Sequence, residues 1–379
     1  MFAHFQPSQT PALVIDRVAL DHNLRVMQDA CSEKGIRLRA HGKMHKCTTL
    51  GHLQVAGGAV GLCCQTVGEA EVYARAGIAD LLVSAPAPAW GPPRLASVVK
   101  ETGAAIAVVV DSIAQIERLD AAACAAAVVL GCLIDVNIGM HRVGCTPDEV
   151  VGLAAQIKAC SGLRYDGIQA YFGHLQHLEN RAKANAAGTE RLRTLVLALR
   201  AAGLPPRQVT GGGTGTYTLD LAAGVFTELQ CGSYALMDVE YDDCGWPQGA
   251  WQFRPALFIA STVISARHKS HVTIDVGLKA TSMDVPPRIV AGAAPGSVWR
   301  SLGDEHGAVV HPTARGGDVE VDDANPDIAW PVDAPNEGDT VWLQPGHCDP
   351  TINLYDGFWA VDATGAAEWW PIDASRVTP

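Results

Sequence analysis

Positive charge is scarce in this chain: 28 Lys and Arg stand against 40 Asp and Glu over 379 residues, a formal charge of −12. No basic cluster overrides that balance, which argues against a nucleic-acid surface and leaves solubility as its plain meaning. Long apolar runs are missing too. A membrane span needs roughly 18 to 20 apolar residues, and the richest stretch, Ala123 to Val136, is broken by Gly131. The opening MFAHFQPSQTPALVID has no basic segment leading into an apolar one, so no secretory signal is expected. The eleven cysteines are scattered and form no CxxC pair. Neither a disulfide framework nor a structural zinc site is indicated, and a reducing cytoplasm fits best.

What is present is an ordinary globular composition, 48% hydrophobic and 18% charged, with length for one large domain or two. From about residue 12 to 232, strand-like and helix-like segments alternate. Strand candidates are Ala12–Asp16, Ile36–Ala40, Val60–Gln65, Asp80–Ser84, Ala105–Asp111, Val128–Val136, Gly167–Phe172, Gln208–Thr210 and Phe226–Leu229. Thr66-x-x-Glu69 is a capping box opening a helix to Ala76, and Asn180 to Ala202 is the clearest helix. This alternation predicts an α/β fold, a (β/α)8 TIM-type barrel, with a doubly wound sheet as rival. Beyond Trp246 the chain turns β-rich, with Gly and Pro between short strands such as Phe258–Ser265 and His271–Val276. The expected division is a barrel over residues 12–250 and a second, β-rich C-terminal domain over 251–379, to which residues 1–11 could also belong.

Barrel chemistry gathers at the C-terminal ends of strands. In Arg39-Ala40-His41-Gly42-Lys43, an extended chain puts Arg39, His41 and Lys43 on one face, where neighbouring cations would ease deprotonation of a Schiff-base lysine. A solvated basic turn is the plainer reading. Thr210-Gly211-Gly212-Gly213-Thr214-Gly215-Thr216 lacks both the third glycine of a dinucleotide loop and the lysine of a P-loop. It reads as a cup for a single phosphate or as a tight turn. Glu228-Leu229-Gln230-Cys231-Gly232-Ser233-Tyr234 ends the next strand and could add donors to the same phosphate, or be a simple turn. In Gly346-His347-Cys348-Asp349-Pro350-Thr351, an extended chain would point His347 and Asp349 to one side and Cys348 to the other. That pair suits Mn²⁺, Mg²⁺ or a similar ion, and a polar turn is the alternative.

Together these segments resemble the D-threonine aldolase family of fold-type III pyridoxal-phosphate enzymes, relatives of alanine racemase and D-serine dehydratase. The resemblance covers nearly the whole chain and starts at Thr10-Pro11-Ala12-Leu13-Val14-Ile15-Asp16. It implies that Lys43, rather than Lys46, carries pyridoxal 5'-phosphate. It makes Gln65, Thr214, Gly232, Ser233 and Tyr241 cofactor contacts and sets Arg142 near the cofactor ring. Tyr171 and His177 are similar to active-site side chains, with His177 the candidate base, and His347 with Asp349 becomes the divalent-metal motif. Two departures stand out. Ala40 replaces a common proline, and Asp349 stands where the dehydratase branch has cysteine, which favours the aldolase branch.

The activity implied is cleavage of D-threonine and related D-3-hydroxy amino acids to glycine and an aldehyde, with Mn²⁺ the first choice of metal and Mg²⁺ or Co²⁺ the others. A homodimer follows from the resemblance alone. A 3-hydroxy-D-aspartate aldolase is the nearest alternative, and a D-serine or 3-hydroxyaspartate dehydratase the next. A non-catalytic cofactor-binding barrel is disfavoured by the β-rich domain. His306 and Lys279 are left without a role.

Overall fold

The computed structural model describes residues 5–245, 252–312 and 334–375. The boundary expected at 250–251 lies outside the described residues. The chain divides into two compact units. One comprises residues 24–234, 244–245 and 373–375; the other comprises 5–23, 235–243, 252–312 and 334–372.

Strand β1 is Ala12–Asp16. The first unit is a closed, all-parallel barrel of β2 (Arg37–His41), β3 (Gly61–Cys64), β4 (Asp80–Val83), β5 (Ala105–Val110), β6 (Leu130–Asp135), β7 (Leu163–Ala170), β8 (Gln208–Gly211) and β9 (Glu228–Leu229). Closure comes from β9 pairing with β2, Arg37 opposite Glu228 and Leu38 opposite Leu229. The middle strands β3 to β6 are largely apolar, as in Ala-Ile-Ala-Val-Val-Val of β5, because helices cover one face and the barrel interior the other. Cys63, Leu82, Val109 and Leu133 from four adjacent strands form one buried cluster. The capping box is in place: Thr66 Oγ1 accepts the Glu69 N–H at 3.2 Å, and the Glu69 carboxylate accepts the backbone N–H groups of Gln65 and Thr66.

The second unit holds a nine-stranded sheet made of β1 with β10 (Leu257–Ser265), β11 (His271–Ile274), β12 (Arg288–Ala291), β13 (Val298–Ser301), β14 (Gly307–Val310), β15 (Thr340–Gln344), β16 (Gly357–Val361) and β17 (Ala367–Pro371). Here the structure corrects the reading of Ala12–Asp16 as the strand that opens the barrel alternation. It lies between β10, antiparallel, and β16, parallel. Val14 packs with Phe258, Ala260, Trp342 and Val361 in the buried cluster of this sheet. Four of its five residues are fully buried, and a strand apolar on both faces carries no mark of which sheet it joins. Among the described residues no helix is long and apolar enough to cross a membrane.

Candidate active site

Strand β2 ends at His41, and a single 3-10 turn, Gly42–Met44, then carries Lys43 at the C-terminal end of the barrel. His41 is buried. Its Nδ1 accepts the Lys43 backbone N–H at 3.4 Å, and its Nε2 lies 3.1 Å from Ser84 Oγ, the residue just past β4. Burial, reinforced by the charges of Lys43, Arg142 and His45, pushes the His41 pKa well below the ordinary histidine value, so the ring is neutral.

Arg39 is not a free cation beside Lys43. Its guanidinium is buried against Glu228 at 2.7 Å and Asp80 at 2.8 Å, each the first residue of its strand. The strand alternation that would align Arg39 with Lys43 ends at His41, where the 3-10 turn begins. Two carboxylates, buried Glu228 and half-exposed Asp80, take up the arginine's charge, so the basic trio expected from the sequence reduces to Lys43 beside a neutral imidazole.

The glycine loop after β8 is braced from behind. Gln176 Oε1 accepts the Gly215 N–H at 2.7 Å, and its Nε2 donates to Thr216 Oγ1 at 3.1 Å. Asp220 is fully buried and accepts from the Thr216 hydroxyl at 2.6 Å, from Asn185 Nδ2 at 2.7 Å and from the Gly213 N–H. Burial raises the Asp220 pKa to about 6, held back by those donors. Gly212 has φ +74°, and a Cβ on Gly215 would sit 2.2 Å from Gln176 O, so both positions require glycine. Thr214 Oγ1 accepts the Tyr234 N–H at 3.0 Å, joining this loop to the one after β9. Among the described residues the backbone N–H groups of Thr214, Gly232 and Ser233 are left unused by the fold. A Cβ on Gly232 would come 3.1 Å from the His41 Cβ, so the cup and the lysine segment adjoin. These features fit a small phosphorylated cofactor: a lysine at a strand end, and beside it backbone donors held by buried side chains. Gln176, Asp220 and Asn185 were not singled out from the sequence.

Arg142 is exposed and lies over the Tyr171 ring, 5.6 Å from its centroid. The neighbouring Asp135 is buried, which lifts its pKa to about 6 against the hydrogen bond from Gln169 and the charge of Arg142. Arg142 and Lys43 both act on His41 electrostatically, so these three and Tyr171 belong to one region. His177 is exposed, with Nδ1 2.9 Å from Cys244 Sγ. Gln65 is half-buried just past β3, on the wall of a hollow of about 310 Å³.

The remaining candidates lie in the other unit. Tyr241 is buried in the helix Val239–Asp242, its N–H capped by Asp238 at 3.0 Å. His347 Nδ1 is hydrogen-bonded to Asp284 and lies 4.0 Å from Glu240, while Nε2 lies 3.9 Å from Asp349. The segment is not extended as expected. His347 alone is extended (φ −139°, ψ 121°), and a short helix, Cys348–Ile352, begins next. Pro350 is tolerated there because first-turn N–H groups need no helical partner. The Cys348 N–H donates to Asp238 at 3.0 Å, and its buried thiol turns away toward Met237 O. Burial works against charge on His347, but the Asp284 hydrogen bond and the nearby Asp349 and Asp238 carboxylates raise its pKa overall.

Among the described residues no group of three or more His, Cys, Asp or Glu side chains is arranged to hold a metal. The two-residue donor set still suits one. Asp284 on Nδ1 leaves the Nε2 lone pair of His347 toward Asp349, the carboxylate–imidazole arrangement common behind metal-bound histidines. Lys279 is paired with Glu305 at 2.6 Å and Asp304 at 3.5 Å, and His306 is exposed.

Comparison with known proteins matches residues 15–239 to the family model "Alanine racemase, N-terminal domain" and residues 256–361 to "Putative serine dehydratase domain". The 3-hydroxy-D-aspartate aldolase of Paracoccus denitrificans is 38% identical over 97% of this chain and 92% of its own. The D-threonine aldolase of an Arthrobacter species is 36% identical over 96% and 92%. The crystal structure of D-threonine aldolase from Filomicrobium marinum superposes with a TM-score of 0.87 at 34% identity, covering 97% of this chain and 96% of that one.

Proposed function

Because the chain belongs to the fold-type III pyridoxal-phosphate enzymes of the alanine racemase and D-threonine aldolase type, we propose that it is a divalent-metal-dependent aldolase cleaving D-threonine and related D-3-hydroxy amino acids to glycine and an aldehyde. The observation that carries this reading is the adjacency of the lysine segment and the braced glycine cup, seen where Gly232 meets His41.

Lys43 would hold the coenzyme, with its phosphate on the N–H groups of Thr214, Gly232 and Ser233. Gln65, Arg142, Tyr171 and Tyr241 are the further contacts proposed. When bound, the coenzyme supplies the electron sink that any cleavage at Cα requires. His347 and Asp349 would hold the ion, Mn²⁺ before Mg²⁺ or Co²⁺, whose chemistry is to make a hydroxyl more acidic.

The chain's own residues then have definite tasks. Breaking Cα–Cβ to release an aldehyde requires loss of the β-hydroxyl proton, and the exposed imidazole of His177 is the base proposed to take it. His41, neutral by burial, adds no charge to compete with the coenzyme at Lys43. Arg142, stacked on Tyr171, keeps a permanent cation near the lysine segment. The active protein would be a cytoplasmic homodimer. Its expected products from D-threonine with coenzyme and Mn²⁺ are glycine and acetaldehyde in equal amounts; a 2-oxo acid and ammonia instead would overturn the reading in favour of a dehydratase.

A further inference from the structure

Relatives that cleave D-threonine and relatives that cleave 3-hydroxy-D-aspartate are about equally similar to this chain, and they differ in whether the β-substituent is apolar or a carboxylate. We infer that the hollow between the loops following β3 and β4 is the subsite for the substrate's β-substituent, and that it takes an aryl or branched alkyl group and turns away a carboxylate. The inference rests on the aldolase reading above and deepens it.

Position is the first argument. The hollow opens at Gln65, just past β3, and its far wall includes Val83 and Ala85, on either side of Ser84. Ser84 is the residue whose hydroxyl meets His41, two positions before Lys43. The hollow therefore lies at the C-terminal end of the barrel beside the lysine segment, where barrel enzymes keep their substrates.

Size and lining are the second. About 310 Å³ is far more than a packing defect and ample for a phenyl ring. Val67, Val83, Pro86, Ala87, Pro88 and Trp90 line it, with Gln65 and Thr66 the polar exceptions. Pro86 and Pro88 fix their own backbone angles. Gly91 packs closely enough on Val67 and Ala87 that a Cβ there would come 2.9 Å and 3.1 Å from them. The walls are thus set before substrate arrives.

Charge is the third. No Lys, Arg or His lines the hollow. Arg94 lies over Trp90, 5.9 Å from the ring centroid, but its charge is taken by Glu71. Lys46, at 3.6 Å, is paired with Glu69, whose buried carboxylate holds the Gln65 N–H. A substrate carboxylate entering here would find no cation of its own, since the nearest ones are already paired, and it would give up water without a partner in return. An aryl group would gain contact with Trp90 and the prolines.

The test uses the complete protein loaded with pyridoxal phosphate and Mn²⁺, and compares kcat/KM for D-3-phenylserine, D-threonine and 3-hydroxy-D-aspartate. Wild type should favour the phenyl substrate over the dicarboxylate by at least about tenfold. Trp90→Ala should lower the phenylserine-to-threonine ratio by about tenfold. Ala87→Arg should raise the dicarboxylate-to-phenylserine ratio by a similar factor, a gain that a misfolded variant does not give. A wild-type preference for 3-hydroxy-D-aspartate, or variants that leave both ratios unchanged, would overturn the subsite while leaving the aldolase reading intact. If none of the three is cleaved, the aldolase reading falls and the subsite with it.

Discussion

His41 Nε2 stands 3.1 Å from Ser84 Oγ, and that hydroxyl donates its own hydrogen bond to Cys64 O, also at 3.1 Å. The imidazole must then carry its hydrogen on Nε2 and accept the Lys43 N–H at Nδ1. The backbone that sets Lys43 at the strand end is steered by a histidine whose neutrality is built in by burial.

That neutrality has a pH signature. An unfolded histidine titrates near about 6.5, whereas folded His41 stays neutral to a much lower pH. Below about pH 6.5 the unfolded chain therefore binds a proton that the native chain does not, and stability is lost as the pH falls. His41→Gln removes this group from the balance. The wild-type advantage over H41Q in unfolding free energy should be smaller at pH 5.5 than at pH 8 by about 1.4 kcal/mol. Urea unfolding at both values measures it. A pH-independent difference would mean that His41 titrates alike in the folded and the unfolded chain.

The two lysines of the segment should behave differently. Lys46 has φ +51° and pairs with Glu69 at 3.6 Å, a structural engagement. Lys43 sits on the turn directly after β2. Lys43→Ala should lose the visible absorbance of the protein-bound coenzyme, whereas Lys46→Ala should keep a visible band. A spectrophotometer settles it, and a band retained in K43A would move the attachment elsewhere.

Much of this arrangement was legible in the sequence, and the exceptions have physical reasons. The barrel could be read because short strand-like runs, apolar from β3 to β6, alternate with helical stretches, one of them opened by the Thr66 and Glu69 capping box. The membership of Ala12–Asp16 could not, since β1 is buried on both sides wherever it pairs. The pairing of Arg39 was not foreseen, because alternation says which face a side chain leaves from but not that Glu228 and Asp80 meet it there. The helix at Cys348 was missed because a five-residue helix has no periodicity to detect, and a proline in its first turn looks like a break. Asp284 is 63 residues from His347, and no local pattern joins them.

The His347 pair predicts a separation of two attachments. Chelation should abolish cleavage of D-threonine while leaving the visible absorbance, because the groups proposed to hold the ion are not those proposed to hold the coenzyme. Asp349→Ala should weaken Mn²⁺ binding to the point of loss. Asp284→Asn, which spares both donors but weakens the anchor on Nδ1, should lower Mn²⁺ affinity by about 10- to 100-fold. Titration calorimetry reads the two Mn²⁺ affinities without turnover, and a glycine assay beside the visible spectrum reads the chelation. Full affinity in D349A would remove the metal role from this pair.

The glycine cup predicts a penalty that depends on backbone space rather than on chemistry. A methyl at Gly215 would lie 2.2 Å from Gln176 O, an atom already held by Arg181 Nη1 at 2.9 Å and unable to retreat cheaply. Gly215→Ala must therefore push the loop outward, taking the Thr214 N–H out of line and breaking the bond from Gly215 N to Gln176 Oε1. Overpacking of this kind costs about 1–3 kcal/mol of stability. Transferred to the ligand, a loss of the same size is about 5- to 150-fold in coenzyme affinity. Gln176→Ala reaches the loop from the other side, since it deletes the brace and adds no bulk. It should weaken coenzyme binding while leaving room for the loop, so a smaller effect is expected than for G215A. Fluorescence titration of the apoprotein with pyridoxal phosphate gives both constants. If G215A bound the coenzyme as tightly as wild type, the loop after β8 would not be where the phosphate rests.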